Sequence, residues 1–396
     1  MNEQGQFKIQ NSKFKILFIA GDVSGDIHTS LLMREVASRH PEWKLVAVGG
    51  AQMQKAAREA GGEVLGDTST YGVIGFVPSL LLAPRLLKLW NRIQSWIVQA
   101  PPDVVVLCDW GAFNGRLLPF LKAQNIPTLY YFPPRSWQQQ GEGGLGIAPF
   151  VSKVATPFEW SARRLKEVGC DAEWVGHPLL EIVTPSKPIA ELRREFGADE
   201  NSKLIALLPG SRALELRYIA PHLARSARLL QQRNSQQTFR FVVALASGGT
   251  QRAARYFDEN FQLVEGRTSD VLLACDAAIV KSGTATLEAA VAGVPQVVVY
   301  DVPAAIGLQW KLTGLSRKIP LVAMPNIILG RPAVKELLGP ACRAHNIVPE
   351  VEKLLIDETR RQKMRNDYAQ VRRALGSELP KGATLRTAEI LEELVC

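Results

Sequence analysis

The chain is poor in the residues from which metal and redox sites are built. Its 396 residues include only five cysteines and five histidines. The cysteines (Cys108, Cys170, Cys275, Cys342 and Cys396) are scattered, odd in number and never in a C-x-x-C pair. This spacing argues against a zinc site and fits a reducing compartment. The histidines show no H-x-x-x-H spacing, so no metal is expected. Long apolar runs are missing as well: Asp276 interrupts the longest candidate, and none reaches membrane-spanning length. Met1–Ser12 is polar, so no signal peptide is expected and the reading is cytoplasmic. There is no Walker lysine. The one formal G-x-G-x-x-G, Gly141–Gly146, has no strand leading into it and no helix after it, and reads as a mobile loop.

What is present is a soluble, globular composition, 46% hydrophobic and 21% charged. The length suits two domains, each with its own core. A net charge of +9, from 47 basic and 38 acidic residues, attracts anions. Nucleotides, phosphorylated lipids, anionic membranes and nucleic acid are all admitted by that charge.

In the first half, Phe14–Ala20 is a near-continuous apolar run, as a central parallel strand requires. It delivers Gly21-Asp22-Val23-Ser24-Gly25-Asp26 to the start of a helix, a first βα turn. Lys44–Gly49 and Asp103–Cys108 are further strands, and Pro127–Phe132 is another. Asp109 stands at the carboxyl end of the second of these, beside Trp110 and Phe113. Partial desolvation there makes a general base; an N-cap or turn aspartate is the simpler alternative. His177, after the strand Ala172–Val175, is open between a site residue and a satisfied turn histidine. Between Leu80 and Ala100 there is no acid. A helix starting at Pro84 would set Arg85, Lys88 and Arg92 on one face and Leu86, Leu89, Trp90, Ile93 and Ile97 on the other. That pattern fits a membrane-surface helix or a core-packed helix with a solvated basic face.

Thr184–Pro188 reads as an interdomain linker, after which strand-helix alternation restarts. Leu204–Leu208 leads into Pro209-Gly210-Ser211-Arg212, with Glu215 three residues on. A Gly-Ser turn with a guanidinium suits a diphosphate. Ala277–Val280 then turns through Ser282 and Gly283 into a short apolar helix, followed by the strand Pro295–Tyr300. The free N–H groups at that helix start favour an anion. Thr284 and Glu288 share one face, where a carboxylate suits the hydroxyls of a ribose; a polar N-cap in an ordinary βαβ unit is the alternative. Pro325–Arg331 reads as a loop, and Asp357–Leu375 and Ala383–Leu394 as charged helices. The expected fold is therefore α/β, with two Rossmann-like doubly wound domains facing a cleft, the GT-B plan. The domains run from 1–183 and 189–375, with 376–396 a terminal helix that packs back or is exchanged in a homodimer.

These motifs together resemble the lipid A disaccharide synthase family. They are Ala20-Gly-Asp-Val-Ser-Gly-Asp26, Pro102–Asp109 with Phe113-Asn114, Gly176-His177, and Leu207–Arg212 with Glu215. Ser282–Glu288, Pro325–Arg331 and Val334–Leu338 complete the series. The resemblance implies an inverting, metal-independent transfer of a diacylglucosamine from UDP to a diacylglucosamine phosphate, giving a β-1,6 disaccharide. It implies no cofactor, no nucleic acid, and a peripheral place on the inner leaflet. Carried over, Asp109 is the general base, with Asn114 beside it. Arg212, Ser282, Gly283, Thr284 and Glu288 form the UDP site, with Asn326 and Arg331 its far wall. Asp22, Ser24, Asp26 and His177 lie on the acceptor side.

The departures from the family pattern fall on that acceptor side. Asp22 replaces a longer Glu, and Ala112 stands where the family has a second aspartate. Ile74–Ser79 lacks the family's carboxylate, and Pro133–Gln140 lacks a tryptophan and a basic residue. A UDP-sugar epimerase, a transferase with another lipid acceptor and a non-catalytic UDP-sugar or lipid-binding relative are the alternatives.

Overall fold

The computed structural model describes residues 14–69, 76–134, 149–246, 248–302 and 321–395, and for 76–82 the backbone alone. The chain divides into two compact units, Met1–Pro178 with Glu378–Cys396, and Leu179–Ser377.

The first unit is built on strands β1 Lys15–Ala20, β2 Lys44–Gly49, β3 Glu63–Asp67, β4 Val104–Cys108, β5 Thr128–Tyr131, β6 Lys153–Thr156 and β7 Ala172–Trp174. All pair in parallel, in the order β3-β2-β1-β4-β5-β6-β7. Helices α1 Val23–Arg39, α2 Ala51–Glu59, α3 Phe76–Gln99, α4 Gly111–Ala123 and α5 Glu159–Glu167 connect them. The central pair sets Ile16 beside Val104 and Phe18 beside Val106. Alternate side chains enter two separate cores: Ile16 and Phe18 meet Leu32 and Val36, while Leu17 and Ile19 meet Ile93 and Leu117. Burial on both faces is why these strands read as unbroken apolar runs.

Three sequence expectations are revised. Glu63–Asp67 is a strand that the reading missed, its burial confined to Leu65 and Gly66. Helix α3 begins at Phe76, so Pro84 sits inside it and not at its start. The segment Pro325–Arg331 is largely helical, with Pro325 in the first turn where a missing N–H costs nothing. The Gly141–Gly146 loop and most of Pro133–Gln140 lie outside the described residues, as do Ile74 and Gly75.

The second unit holds β8 Lys203–Leu208, β9 Phe239–Leu245, β10 Phe261–Glu265, β11 Ala277–Lys281, β12 Gln296–Tyr300 and β13 Lys335–Leu338. Its parallel order is β10-β9-β8-β11-β12-β13. Its helices are α6 Leu179–Ile182, α7 Ile189–Glu195, α8 Ala213–Arg233, α9 Thr250–Ala253, α10 Thr268–Ala274, α11 Thr284–Val291, α12 Met324–Leu329, α13 Ala344–Ile356 and α14 Glu358–Ala374. The stretch 184–188 lies within this unit, with the Ser186 amide and hydroxyl both bonded to Asp270 of α10, at 2.7 and 2.6 Å.

The last helix, α15 Ala383–Val395, returns to the first unit and packs on α1. Glu392 accepts two bonds from Arg39, at 2.6 and 2.8 Å, and Glu393 pairs with Lys153 at 2.7 Å.

Both sheets reverse their winding at one place, between β1 and β4 and between β8 and β11. In doubly wound sheets ligands bind beyond the carboxyl ends at such switch points. Each of the four turns that follow these strands is a turn that the sequence singles out.

Candidate active site

In the second unit the turns after β8 and β11 are joined by one carboxylate. Glu215 accepts the backbone N–H of Ser211 at 3.0 Å and of Arg212 at 3.2 Å. It also pairs with the Arg212 guanidinium at 3.0 Å and the Lys281 ammonium at 2.6 Å. Burial raises its pKa, but Lys281 and the other donors outweigh that and hold it below the ordinary range. Gly210 makes this fold-back possible, because at φ +99° a Cβ there would sit 2.4 Å from the Glu215 carboxylate. Two cations flank one anion, so the cluster retains a net positive charge.

The ammonium of Lys281 lies beside the turn that opens α11. A Cβ built on Gly283 would be 3.5 Å from its Nζ, and the Tyr300 ring lies 5.6 Å away. Gly283 has φ +143°, a conformation that glycine alone adopts without strain, and no side chain caps the helix start. Ser282 turns its hydroxyl to the Val322 carbonyl, and Thr284 is exposed in the first turn. The sequence reading did not place Lys281 in the site. Its signal was a lysine closing a fully buried strand, rare unless the charge is paired or used.

Glu288 lies one turn into α11 and is half-buried, and its carboxylate has no hydrogen bond or ion pair among the described residues. Burial pushes its carboxyl up to about 7. Asn326 and Arg331, expected on the far wall of a nucleotide site, have other partners. The buried Asn326 amide donates to the Val334 carbonyl and Glu336 and accepts from the amides of Ala333 and Val334. That leaves at most a weak spare capacity for a ligand. Arg331 pairs with Asp367 of α14 at 2.6 Å. Asn326 braces the loop before β13, and Arg331 ties the end of α12 to α14.

In the first unit the chain leaves β4 through two successive left-handed residues, Asp109 at φ +45° and Trp110 at φ +48°. For residues other than glycine this costs about 1–3 kcal/mol each, a strain that clusters at functional sites. Trp110 stacks on Phe113 at 4.1 Å and covers Gly21, where a Cβ would lie 2.0 Å from the indole. Only glycine fits at position 21. The Asp109 carboxyl is half-buried, and burial, followed by the charge of Asp22, pushes it up to about 6. That is the value of a base poised for neutral pH. Asn114 is fully buried and does not face this carboxylate. Its amide donates to the carbonyls of Asp109 at 2.9 Å and Cys108 at 3.3 Å.

The remaining acceptor-side expectations divide. Asp22 is the N-cap of α1, accepting the Gly25 amide at 2.8 Å and the Ser24 hydroxyl at 2.9 Å. It nonetheless stays close enough to perturb Asp109. Asp26 points away into α2, accepting the amides of Gln52 and Met53 at 3.0 and 2.9 Å. It caps a neighbouring helix. His177 is buried against His28, Phe132 and Phe158, with ring centroids 5.2–5.8 Å away. Burial and then His28 hold its pKa well below 6.5, so it is neutral.

Arg85, Lys88 and Arg92 are exposed, while Leu89, Ile93 and Ile97 of α3 enter the core. From residue 83 onward the helix is therefore core-packed with a solvated basic face. Among the described residues no helix is long and apolar enough to cross a membrane.

Two parallel sheets of the same winding, one with an anion cradle and one with a perturbed carboxyl, define a two-domain α/β protein of the GT-B glycosyltransferase type. Solved structures share this architecture. The calicheamicin glycosyltransferase CalG4 aligns over 97% of this chain and 98% of its own with a TM-score of 0.57 at 15% identity. The Neisseria meningitidis UDP-GlcNAc 2-epimerase bound to UDP-GlcNAc aligns over 96% and 100%, with a TM-score of 0.62 at 14% identity. At such identities the likeness concerns the fold alone. A profile of the Lipid-A-disaccharide synthetase family matches residues 16–388. The lipid-A-disaccharide synthase of Prochlorococcus marinus (strain MIT 9313) is 34% identical over 394 residues, covering 96% of this chain and 98% of the relative. The chain belongs to the lipid-A-disaccharide synthetase family and is a hexosyltransferase.

Proposed function

We propose that the second unit binds a UDP-linked 2,3-diacylglucosamine and that the first presents 2,3-diacylglucosamine 1-phosphate, the product being the β-1,6 lipid A disaccharide. The observation that carries the donor reading is the convergence of Arg212, Lys281 and the uncapped start of α11, with the unpartnered Glu288 one turn away. A diphosphate is the anion that two cations and a helix N-terminus suit, and an ionised Glu288 accepts the ribose hydroxyls.

The chemistry follows from these roles. Asp109 removes the proton from the acceptor 6-hydroxyl as its oxygen attacks the anomeric carbon from the face opposite UDP. The new C–O bond forms while the bond to the β-phosphate breaks, and its electron pair leaves with UDP. Arg212, Lys281 and the α11 amides take up the charge that develops there. Asn326 and Arg331 act at one remove, by holding the loop before β13. The exposed Arg85, Lys88 and Arg92 draw the protein to the anionic inner leaflet, where both lipid substrates reside.

The direct test measures UDP release from UDP-2,3-diacylglucosamine with 2,3-diacylglucosamine 1-phosphate, comparing the native protein with Asp109→Asn. Acceptor-dependent release by the native protein and its loss in the variant are expected. A native protein as silent as the variant over a panel of lipid acceptors would shift the reading to a binding module.

A further inference from the structure

The left-handed turn at Asp109 is held from two sides at a single oxygen. The Tyr130 hydroxyl, on β5, donates to the Asp109 carbonyl, and the Asn114 amide, on α4, donates to the same oxygen at 2.9 Å. A backbone carbonyl has two lone pairs, so its acceptor capacity is filled. Tyr130 and Asn114 are both fully buried. The Asp109 amide faces the carbonyls of Tyr131 and Phe132, at 3.3 and 3.2 Å. Phe132 is itself left-handed, at φ +56°. The peptide on either side of Asp109 is thus pinned to β5. A strained conformation persists only where its surroundings over-determine it, and here the surroundings are a phenol and an amide that also hydrogen-bond each other.

We infer that Tyr130 is a positioning residue: together with Asn114 it clamps the Asp109 carbonyl and so aims the Asp109 carboxylate at the acceptor hydroxyl. This rests on the reading of Asp109 as the base. Both clamp residues are closed off from solvent. Each acts through the backbone, which turns a small loss of alignment into a loss of rate and not of binding. The titratable groups that face Asp109 are Asp22 at the start of α1, the Cys108 thiol on its own strand and the Tyr130 phenol. Burial raises both Cys108 and Tyr130 well above their ordinary values, so neither ionises near neutral pH.

The test compares Tyr130→Phe with the native full-length protein in the disaccharide-forming assay, well below the thermal transitions of both. Turnover is expected to fall about 10- to 100-fold, the scale of a misplaced catalytic group, with KM for the UDP-sugar unchanged. The acid limb of the pH profile should move to lower pH, because a loosened carboxylate gains water and loses the burial that raises its pKa. A Tyr130→Phe protein with native turnover and a native acid limb would overturn the inference, whatever its melting temperature. If Tyr130→Phe does not fold, Asn114→Ala removes the other donor and is judged by the same readouts. Asp109→Asn is assayed in parallel. If it keeps native turnover, the base assignment itself is wrong. If it is silent while Tyr130→Phe is native, only the clamp is wrong.

Discussion

The two switch points use left-handed backbone for opposite purposes. Beyond β8 and β11 the left-handed residues are glycines, Gly210 and Gly283, and beyond β4 and β5 they are Asp109, Trp110 and Phe132. A glycine there removes a side chain so that backbone N–H groups and nearby cations can approach a ligand. A side-chain-bearing residue in the same conformation has the reverse use, because it aims that side chain where an ordinary strand end would not. The second unit is thus built to receive charge at its backbone, the first to hold one carboxyl in place against strain. On the proposed reading, phosphate is met by relaxed geometry and the proton is removed from a strained turn.

The largest effect that tests this contrast is at Asp109. Asp109→Asn keeps the shape and the left-handed turn but cannot take a proton. Turnover should fall about 10²- to 10⁴-fold, the usual contribution of a general base. UDP affinity, measured by titration calorimetry, should be unchanged. In the native protein the base must be ionised, so activity should fall as pH drops through about 6. An acid limb close to 4 would mean that the carboxyl is not held in its half-buried place.

On the phosphate side, Lys281→Met should weaken UDP binding about 10-fold or more, the scale of one charge-assisted hydrogen bond. Binding of uridine, which lacks phosphates, should not change. The double variant Lys281→Met, Glu215→Gln separates this role from mere neutralisation. If Lys281 only balances Glu215, removing the carboxylate charge restores UDP affinity; if it holds phosphate, affinity stays low.

Glu288 sharpens the contrast further, because burial of its carboxylate without a partner among the described residues makes it costly until a ligand arrives. Its folded pKa, about 7, lies above the ordinary carboxylate value. Between the two values the folded protein binds more protons than the unfolded chain, so stability declines as pH rises through that window. Glu288→Gln should therefore raise the melting temperature of the ligand-free protein above pH 7 while weakening UDP binding. UDP affinity of the native protein should rise with pH through about 7. A variant that loses stability above pH 7 would show that the carboxylate has a protein partner.

How much of this was legible in the sequence depended on how far each residue's partner lies along the chain. The strands β1, β4, β8 and β11 were legible because burial on both faces writes itself as a local apolar run. The turns after them were legible too, being contiguous. What one residue's side chain does with a distant one was not. Asp26 reads as part of a ligand turn, yet its partners are amides of residues 52 and 53 on the next helix. Lys281 reads as the end of a strand, and its partner Glu215 precedes it by 66 positions. Asn326 reads as a site residue, and the sequence does not show its four bonds to residues 333–336. Helix α3 was legible as amphipathic. Only the packing of Leu89, Ile93 and Ile97 shows that its described apolar face is used by the core.

The smallest functional effect is expected at Arg331, and it bears on where the phosphate side ends. Its guanidinium pairs with Asp367, whose side chain is only 6% exposed, while that of Arg331 is 42% exposed. Arg331→Ala leaves a buried charge without its partner, a change that destabilises a fold more than the intact pair ever stabilised it. The expected result is a lower melting temperature, with UDP affinity within about twofold of native when measured below that transition, since a residue acting through packing gives up little of the approximately 1.4 kcal/mol that a tenfold change requires. Asp367→Asn should lessen the stability loss in the double variant by removing the orphaned charge. A tenfold or greater fall in UDP affinity for Arg331→Ala, with the melting temperature unaltered, would instead put the guanidinium on the nucleotide and extend the phosphate side beyond the cradle of Arg212 and Lys281.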